Sequence, residues 1–189
     1  MSESPMILHA RREDAPLLAR MECEAWGKPN LVEYATWTWA SIIRNGLVLK
    51  AVVQGEIVGV VALESTISGT GHINIIIVKS EHRRKGIGRR LLEKLMEGTD
   101  PAPLHALIAT GNIISQHLFR EMGFTKTEYI GHAYCSQSEF DKWVCCRLTT
   151  EQRLKEESER LKTLVEAYRT HWRRAYVGRP PFDTEMKPW

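Results

Sequence analysis

The chain has none of the spacings that mark a metal or redox site. Its four cysteines, Cys23, Cys135, Cys145 and Cys146, form no C-x-x-C pair and have no histidine at zinc-ligand distance. Cys145 and Cys146 are neighbours in a strand-like segment, where consecutive side chains point to opposite faces, so reduced, mostly buried thiols are expected and no metal. Charge of one sign is also scarce: 26 basic residues against 23 acidic ones leave +3, too little to imply a nucleic-acid partner. No apolar run approaches the roughly 18 residues that span a bilayer. The opening Met1-Ser-Glu-Ser-Pro5 lacks the basic start and apolar core of a secretion signal. No membrane partner and a cytoplasmic location are therefore expected. Two common phosphate-binding signatures, G-x-x-x-x-G-K-[ST] and G-x-G-x-x-G, are absent as well.

What is present suffices for one domain with a short appendage, since 189 residues can bury a full core. Residues 6–10 form a short strand. A helix follows, with acids in its first turn and Pro16 near its start, where proline is tolerated. Residues 23–45 are irregularly helical and aromatic. Two β-rich runs, 47–53 and 56–63, meet at Gln54-Gly55 as a hairpin. After a glycine-containing loop, residues 72–78 form a central strand. A helix over 88–97, a strand over 104–109, a helix over 112–122 closed by Gly123, and strands over 124–134 and 140–148 complete the order β, α, α, β, β, β, α, β, α, β, β. Beyond residue 148 a long amphipathic helix is expected through 176, with Leu154, Leu161, Val165, Tyr168 and Trp172 on one stripe. It packs either on its own domain or at a homodimer contact.

The run from Val78 to Leu92, VKSEHRRKGIGRRLL, reads as strand, tight basic loop and helix. Gly86 and Gly88 let the backbone approach a ligand, and the first free N–H groups of the helix point at it with the positive end of the helix dipole behind them. Arg83, Arg84, Lys85, Arg89 and Arg90 supply charged donors nearby. Taken alone, the segment is either a phosphate cradle or a solvated basic turn.

The spacing Arg83-x-x-Gly86-x-Gly88 resembles the [RQ]-x-x-G-x-[GA] loop of the GNAT superfamily of acyl-CoA-dependent N-acetyltransferases. Downstream, Asn112-Ile-Ile-Ser115-Gln-His-Leu-Phe119-Arg-Glu-Met-Gly123-Phe124 resembles that family's N-x-x-A-x-x-L-[YF]-x-x-x-G-F segment, in the family's order. The resemblance covers about residues 6–148. It implies a mixed, mostly antiparallel α/β sheet of about seven strands, splayed between the fourth and fifth, with helices on both faces and residues 149–189 as a C-terminal extension. It further implies acetyl-CoA as co-substrate and a primary amine as acceptor. By the same resemblance the backbone of Ile76, Ile77 and Val78 pairs with the pantetheine amides. The loop Arg83, Arg84, Lys85, Gly86, Ile87, Gly88 and Arg89 holds the pyrophosphate, Asn112 is a side-chain partner of the cofactor, and Phe119 packs near the thioester.

Transfer by direct attack requires a neutral amine, so a base is useful. His72 falls where several members of the family carry a glutamate base, and an imidazole near pKa 6.5 suits the task. A histidine at the mouth of a strand is the plain alternative. Strand alternation puts His72, Asn74, Ile76 and Val78 on one face. The family's usual acid is a tyrosine where this chain has Phe119. Tyr134, Tyr129, His117 or Ser115 could replace it, or the thiolate leaves unaided. Trp26, Tyr34 and Trp37, in a stretch with Glu24 and Glu33, are candidates for holding a cationic amine, or are core. A small amine or amino-acid-like acceptor is the leading expectation. A protein acceptor, or a GNAT-fold acyl-CoA-binding module with little turnover, is the alternative.

Overall fold

The computed structural model describes residues 4–65, 70–99, 103–132 and 139–145, together with Lys162, Thr163 and Glu166. The chain divides into two compact units, Met1–Asp100 and Pro101–Trp189. The element order is the one expected from the sequence. The expected helix over 149–176 lies outside the described residues apart from the helical positions 162, 163 and 166, as do Tyr134, Cys135 and Cys146.

The first unit carries strands β1 (Met6–His9), β2 (Leu47–Val53), β3 (Glu56–Ser65) and β4 (Gly71–Val78), each antiparallel to the one before it. Helices α1 (Ala15–Ala25) and α2 (Val32–Asn45) cover one face, and α3 (Ile87–Glu97) covers the other. Leu18, Ala19 and Trp39 are fully buried and share a core with Val60, Ala62 and Ile77. On the opposite face a Cβ added to Gly59 would meet Leu91 at 3.1 Å and Ile87 at 3.2 Å, so only glycine lets α3 sit this close. Leu91, Leu92 and Leu95, each 0% exposed, form the buried stripe of α3. Burial of each contributes about 1.5–3 kcal/mol. The β2–β3 hairpin turns on Gln54 (φ 51) and Gly55 (φ 82), the paired positive φ values of a turn that matches strand twist.

The entry to α1 is pinned by Asp14. Its Oδ2 accepts the Arg11 N–H at 2.7 Å, and both carboxylate oxygens accept from Lys50 Nζ, at 2.7 and 2.6 Å. The pair is largely buried, with side chains 15% and 10% exposed. Removing one partner strands the other charge away from water. Asp14→Ala is therefore expected to cost about 3 kcal/mol in urea unfolding, and adding Lys50→Met should restore part of it. A cost below about 1 kcal/mol would class the pair with exposed ones.

The second unit has β5 (Leu104–Ala109), β6 (Thr125–His132) and β7 (Glu139–Cys145), with β7 antiparallel to both others. Helix α4 (Ile113–Glu121) precedes β6 and ends at Gly123, φ 84. On β7, Asp141 and Lys142 are each 2% exposed. Asp141 pairs with Lys126 at 2.8 Å, and Arg120 stacks 5.7 Å over the Trp143 ring.

Candidate active site

Beyond Val78 the chain leaves β4 through Lys79, whose N–H donates to Val58 O at 2.9 Å and whose ammonium pairs with Glu56. A 3-10 turn over Ser80–His82 follows. Arg83 then folds back, its Nε donating to Val78 O at 3.0 Å. Arg84 takes a left-handed conformation, φ 58, and Gly86 does so again, φ 74. Left-handed residues in such a turn are what build anion-binding backbone concavities.

Gly86 is the N-cap of α3, with no side-chain cap and no acid in the first turn. The first helix bond runs from Arg90 N to Gly86 O at 3.0 Å, which leaves the N–H groups of Ile87, Gly88 and Arg89 without an intrahelical acceptor. A Cβ built on Gly86 meets nothing within 4 Å, so the space in front of the turn is open. Arg83, Arg84, Lys85 and Gly86 are exposed. An exposed basic turn, a helix start without a cap, and glycine where a side chain would intrude together suit a phosphate group.

Not every expected contact uses a side chain. Ile87 is 3% exposed and Ile77 7%, both in the core, so only their backbone is available; Ile76 and Val78 are half-buried. Arg89 Nε is engaged with Glu93 at 2.9 Å. In the second unit, Asn112 caps α4, its Oδ1 accepting the Ser115 N–H at 3.1 Å. Helix capping thus accounts for this asparagine by itself and leaves its Nδ2 for other work. Phe119 is 2% exposed and packs edge-on against Phe124, centroids 4.9 Å apart. Of the residues considered as substitute acids, His117 pairs with Glu121 at 3.3 Å. The Tyr129 hydroxyl, bonded to Glu139, has its pKa raised chiefly by that bond.

A β-bulge changes the reading of β4. Ala62 pairs with Ile75 but Leu63 with Ile73, so Asn74 is an extra residue and alternation breaks there. Cross-strand partners share a face. Glu64, two residues after Ala62, and His72 opposite it therefore face the α1/α2 layer, not the side of Ile76 and Val78. Asn74 Nδ2 donates to Glu64 Oε2 at 2.8 Å. Burial raises the Glu64 pKa, partly offset by that bond. The His72 Nδ1 is buried, and burial pushes the imidazole down to about 4, so it is neutral at pH 7 and a weak base.

Sequence reasoning missed Glu22 as well as Glu64. Glu22 follows the fully buried Leu18 by one helical turn, a carboxylate in the apolar stripe of α1; that position was the available signal. Its Oε2 accepts from Trp39 Nε1 at 2.6 Å, and burial pushes its pKa up to about 7 against the lowering effect of the indole. The three aromatic candidates are all exposed, to different degrees. Trp26 (40% exposed) is one turn beyond Glu22, Tyr34 is 38% exposed, and Trp37, 74% exposed, points away from the buried Trp39 side of α2.

These shifts set opposite pH dependences. With Glu22 near 7 when folded and 4.5 when not, only the folded chain holds the proton between those values, so stability falls as pH rises through that window. With His72 near 4 when folded and 6.5 when not, the unfolded chain holds the proton, and stability rises with pH from 4 to 6.5. Glu22→Gln should therefore melt above wild type at pH 8, by up to about 3 kcal/mol, with the gain fading toward pH 4.5. Equal melting at pH 8 would mean that Glu22 ionises freely.

Among the described residues no group of three His, Cys, Asp or Glu could hold a metal ion, and no helix is long and apolar enough to cross a membrane. No curated protein sequence matches the chain. Solved structures share its fold. A GNAT-family acetyltransferase from Bacillus cereus ATCC 10987 superposes with TM-score 0.65 at 15% identity, over 78% of this chain and all of that one. The yncA protein of Salmonella typhimurium, solved with its cofactor acetyl-CoA, gives 0.64 at 18%, over 78% and 96%. A ribosomal-protein-alanine N-acetyltransferase from Brucella melitensis gives 0.63 at 23%, over 75% and 99%. The sequence model described as "Acetyltransferase (GNAT) family" matches residues 7–124, which contain β4, the basic turn and α4, and the chain belongs to that family.

Proposed function

We propose that the protein transfers an acetyl group from acetyl-CoA to a primary amine by direct attack, the acceptor being a small amine or amino-acid-like molecule. The observation that carries this is the start of α3, where a left-handed glycine without a cap leaves three N–H groups facing open space among exposed basic residues. Those N–H groups, with Arg83, Arg84 and Lys85, hold the pyrophosphate. The backbone of Ile76, Ile77 and Val78 pairs with the pantetheine amides.

When bound, acetyl-CoA supplies an activated carbonyl and a thiolate leaving group. The amine nitrogen bonds to the carbonyl carbon, the C–S bond breaks, and the nitrogen gives up one proton. We assign that proton to Glu64: its carboxylate, whose pKa burial raises, is a stronger base than the imidazole of His72 on the facing strand, which burial weakens. The thiolate, with a thiol pKa near 8.5, leaves without a protein acid.

Phe119, which has no proton to give, favours a second reading in which acetyl-CoA is bound but hardly turned over. Calorimetric binding of acetyl-CoA and release of coenzyme A across a panel of primary amines separate the two. Binding with turnover on at least one amine is expected. Binding without any turnover would favour the second reading, and no binding would end both.

A further inference from the structure

Glu22 is a half-buried carboxylate on the inner side of α1. One of its oxygens is held by Trp39, a fully buried side chain, so its position is fixed. Among the described residues it has no ion pair, whereas Asp14 in the same unit is paired with Lys50. Carboxylates removed from water are normally paired, because an isolated one loses its hydration with nothing in return. Glu22 Oε1 has no donor among the described residues and is not fully buried, so it is open to a donor from outside the chain. Trp26, the C-cap of α1, donates its backbone N–H to the Glu22 carbonyl at 2.9 Å, is 40% exposed and offers a ring to a cation. Glu24 and Glu33, both exposed, lie on the same two helices, which also carry Arg20 and Arg44, with Lys28 between them. The α1/α2 layer also covers the sheet face that carries Glu64 and His72.

We propose that Glu22 and Trp26 bind a cationic group of the acceptor other than the amine that reacts, so that the acceptor is of the diamine class. This rests on the acetyltransferase reading above. The amine that attacks must be neutral, so the charge held by Glu22 belongs to the far end of the molecule. Glu22 fixes that end by charge and hydrogen bond, and Trp26 fixes it by cation–π contact. The plain alternative is that Glu22 serves only to satisfy the buried Trp39 indole.

The test compares 1,5-diaminopentane with 5-amino-1-pentanol, equal in length but lacking the second charge. For the wild type, kcat/KM for the diamine should exceed that for the amino alcohol at least tenfold. In Glu22→Gln, which keeps an acceptor for Trp39, the diamine value should fall to that of the amino alcohol while KM for acetyl-CoA stays unchanged. Trp26→Ala should also narrow the preference, and it serves if the first variant does not fold. No preference in the wild type, a preference surviving Glu22→Gln, or an equal loss on both substrates would overturn the proposal. Turnover of neither substrate by a protein that still binds acetyl-CoA would overturn it too. Loss of acetyl-CoA binding in the wild type would instead overturn the acetyltransferase reading beneath it.

Discussion

Gly86→Val is expected to raise KM for acetyl-CoA by about a hundredfold or more while the protein stays folded. Gly86 occupies φ 74, and a Cβ there meets nothing within 4 Å, so the fold has room for the side chain. The left-handed conformation of a non-glycine residue costs about 1–2 kcal/mol, which a domain of this size tolerates. The room is where a pyrophosphate would lie. An isopropyl group there either blocks the phosphate or forces the turn to rearrange, and both outcomes remove N–H bonds from the start of α3. Each hydrogen bond to a charged group is worth about 1.5–3 kcal/mol, and each 1.4 kcal/mol is tenfold in affinity, so losing two yields the stated factor. Gly86→Ala should fall between. Wild-type KM in the valine variant would remove the turn from the cofactor site.

Trp39→Ala is expected to destabilise the protein by about 4 kcal/mol. Trp39 is 0% exposed and lies with Ala35 and Ile42 on the buried stripe of α2. Truncation leaves a cavity between α2 and the sheet and removes the donor to Glu22. At about 2–4 °C per kcal/mol, the melting temperature should fall by roughly 10 °C. Trp39→Phe separates the two contributions. It keeps most of the apolar volume but leaves Glu22 without its partner, a cost of about 1–3 kcal/mol. The indole bond lowers the Glu22 pKa, so its loss should move that pKa above 7 and extend the pH-dependent loss of stability upward. A phenylalanine variant as stable as wild type at pH 8 would show that the bond contributes nothing net.

Much of this molecule is legible locally. The Gln54-Gly55 turn, the strand over 104–109 and the glycine that closes α4 follow from turn chemistry and side-chain periodicity, which near neighbours along the chain determine. The basic turn before α3 is legible for the same reason, because its spacing lies within six residues. Asn112 is a subtler case. Its motif position is plain, yet its capping bond to Ser115 shows that a local structural role suffices to explain it.

Other features depend on residues far apart in sequence. Period-two alternation places His72 with Ile76 and Val78, but the extra residue Asn74 in the β3–β4 register turns His72 toward the helices, and a bulge has no signature within β4 itself. The candidate base changes with it, since burial leaves His72 a weak base and raises Glu64 and Glu22. Trp39 and Glu22 meet across 17 positions. By itself, then, the sequence determined the order of elements and the position of the basic turn before α3, because both arise from backbone sterics and short-range spacing. Only the tertiary structure decided which acids and bases share a face and how tightly each holds its proton, because desolvation and pairing are set by chain segments that folding alone brings together.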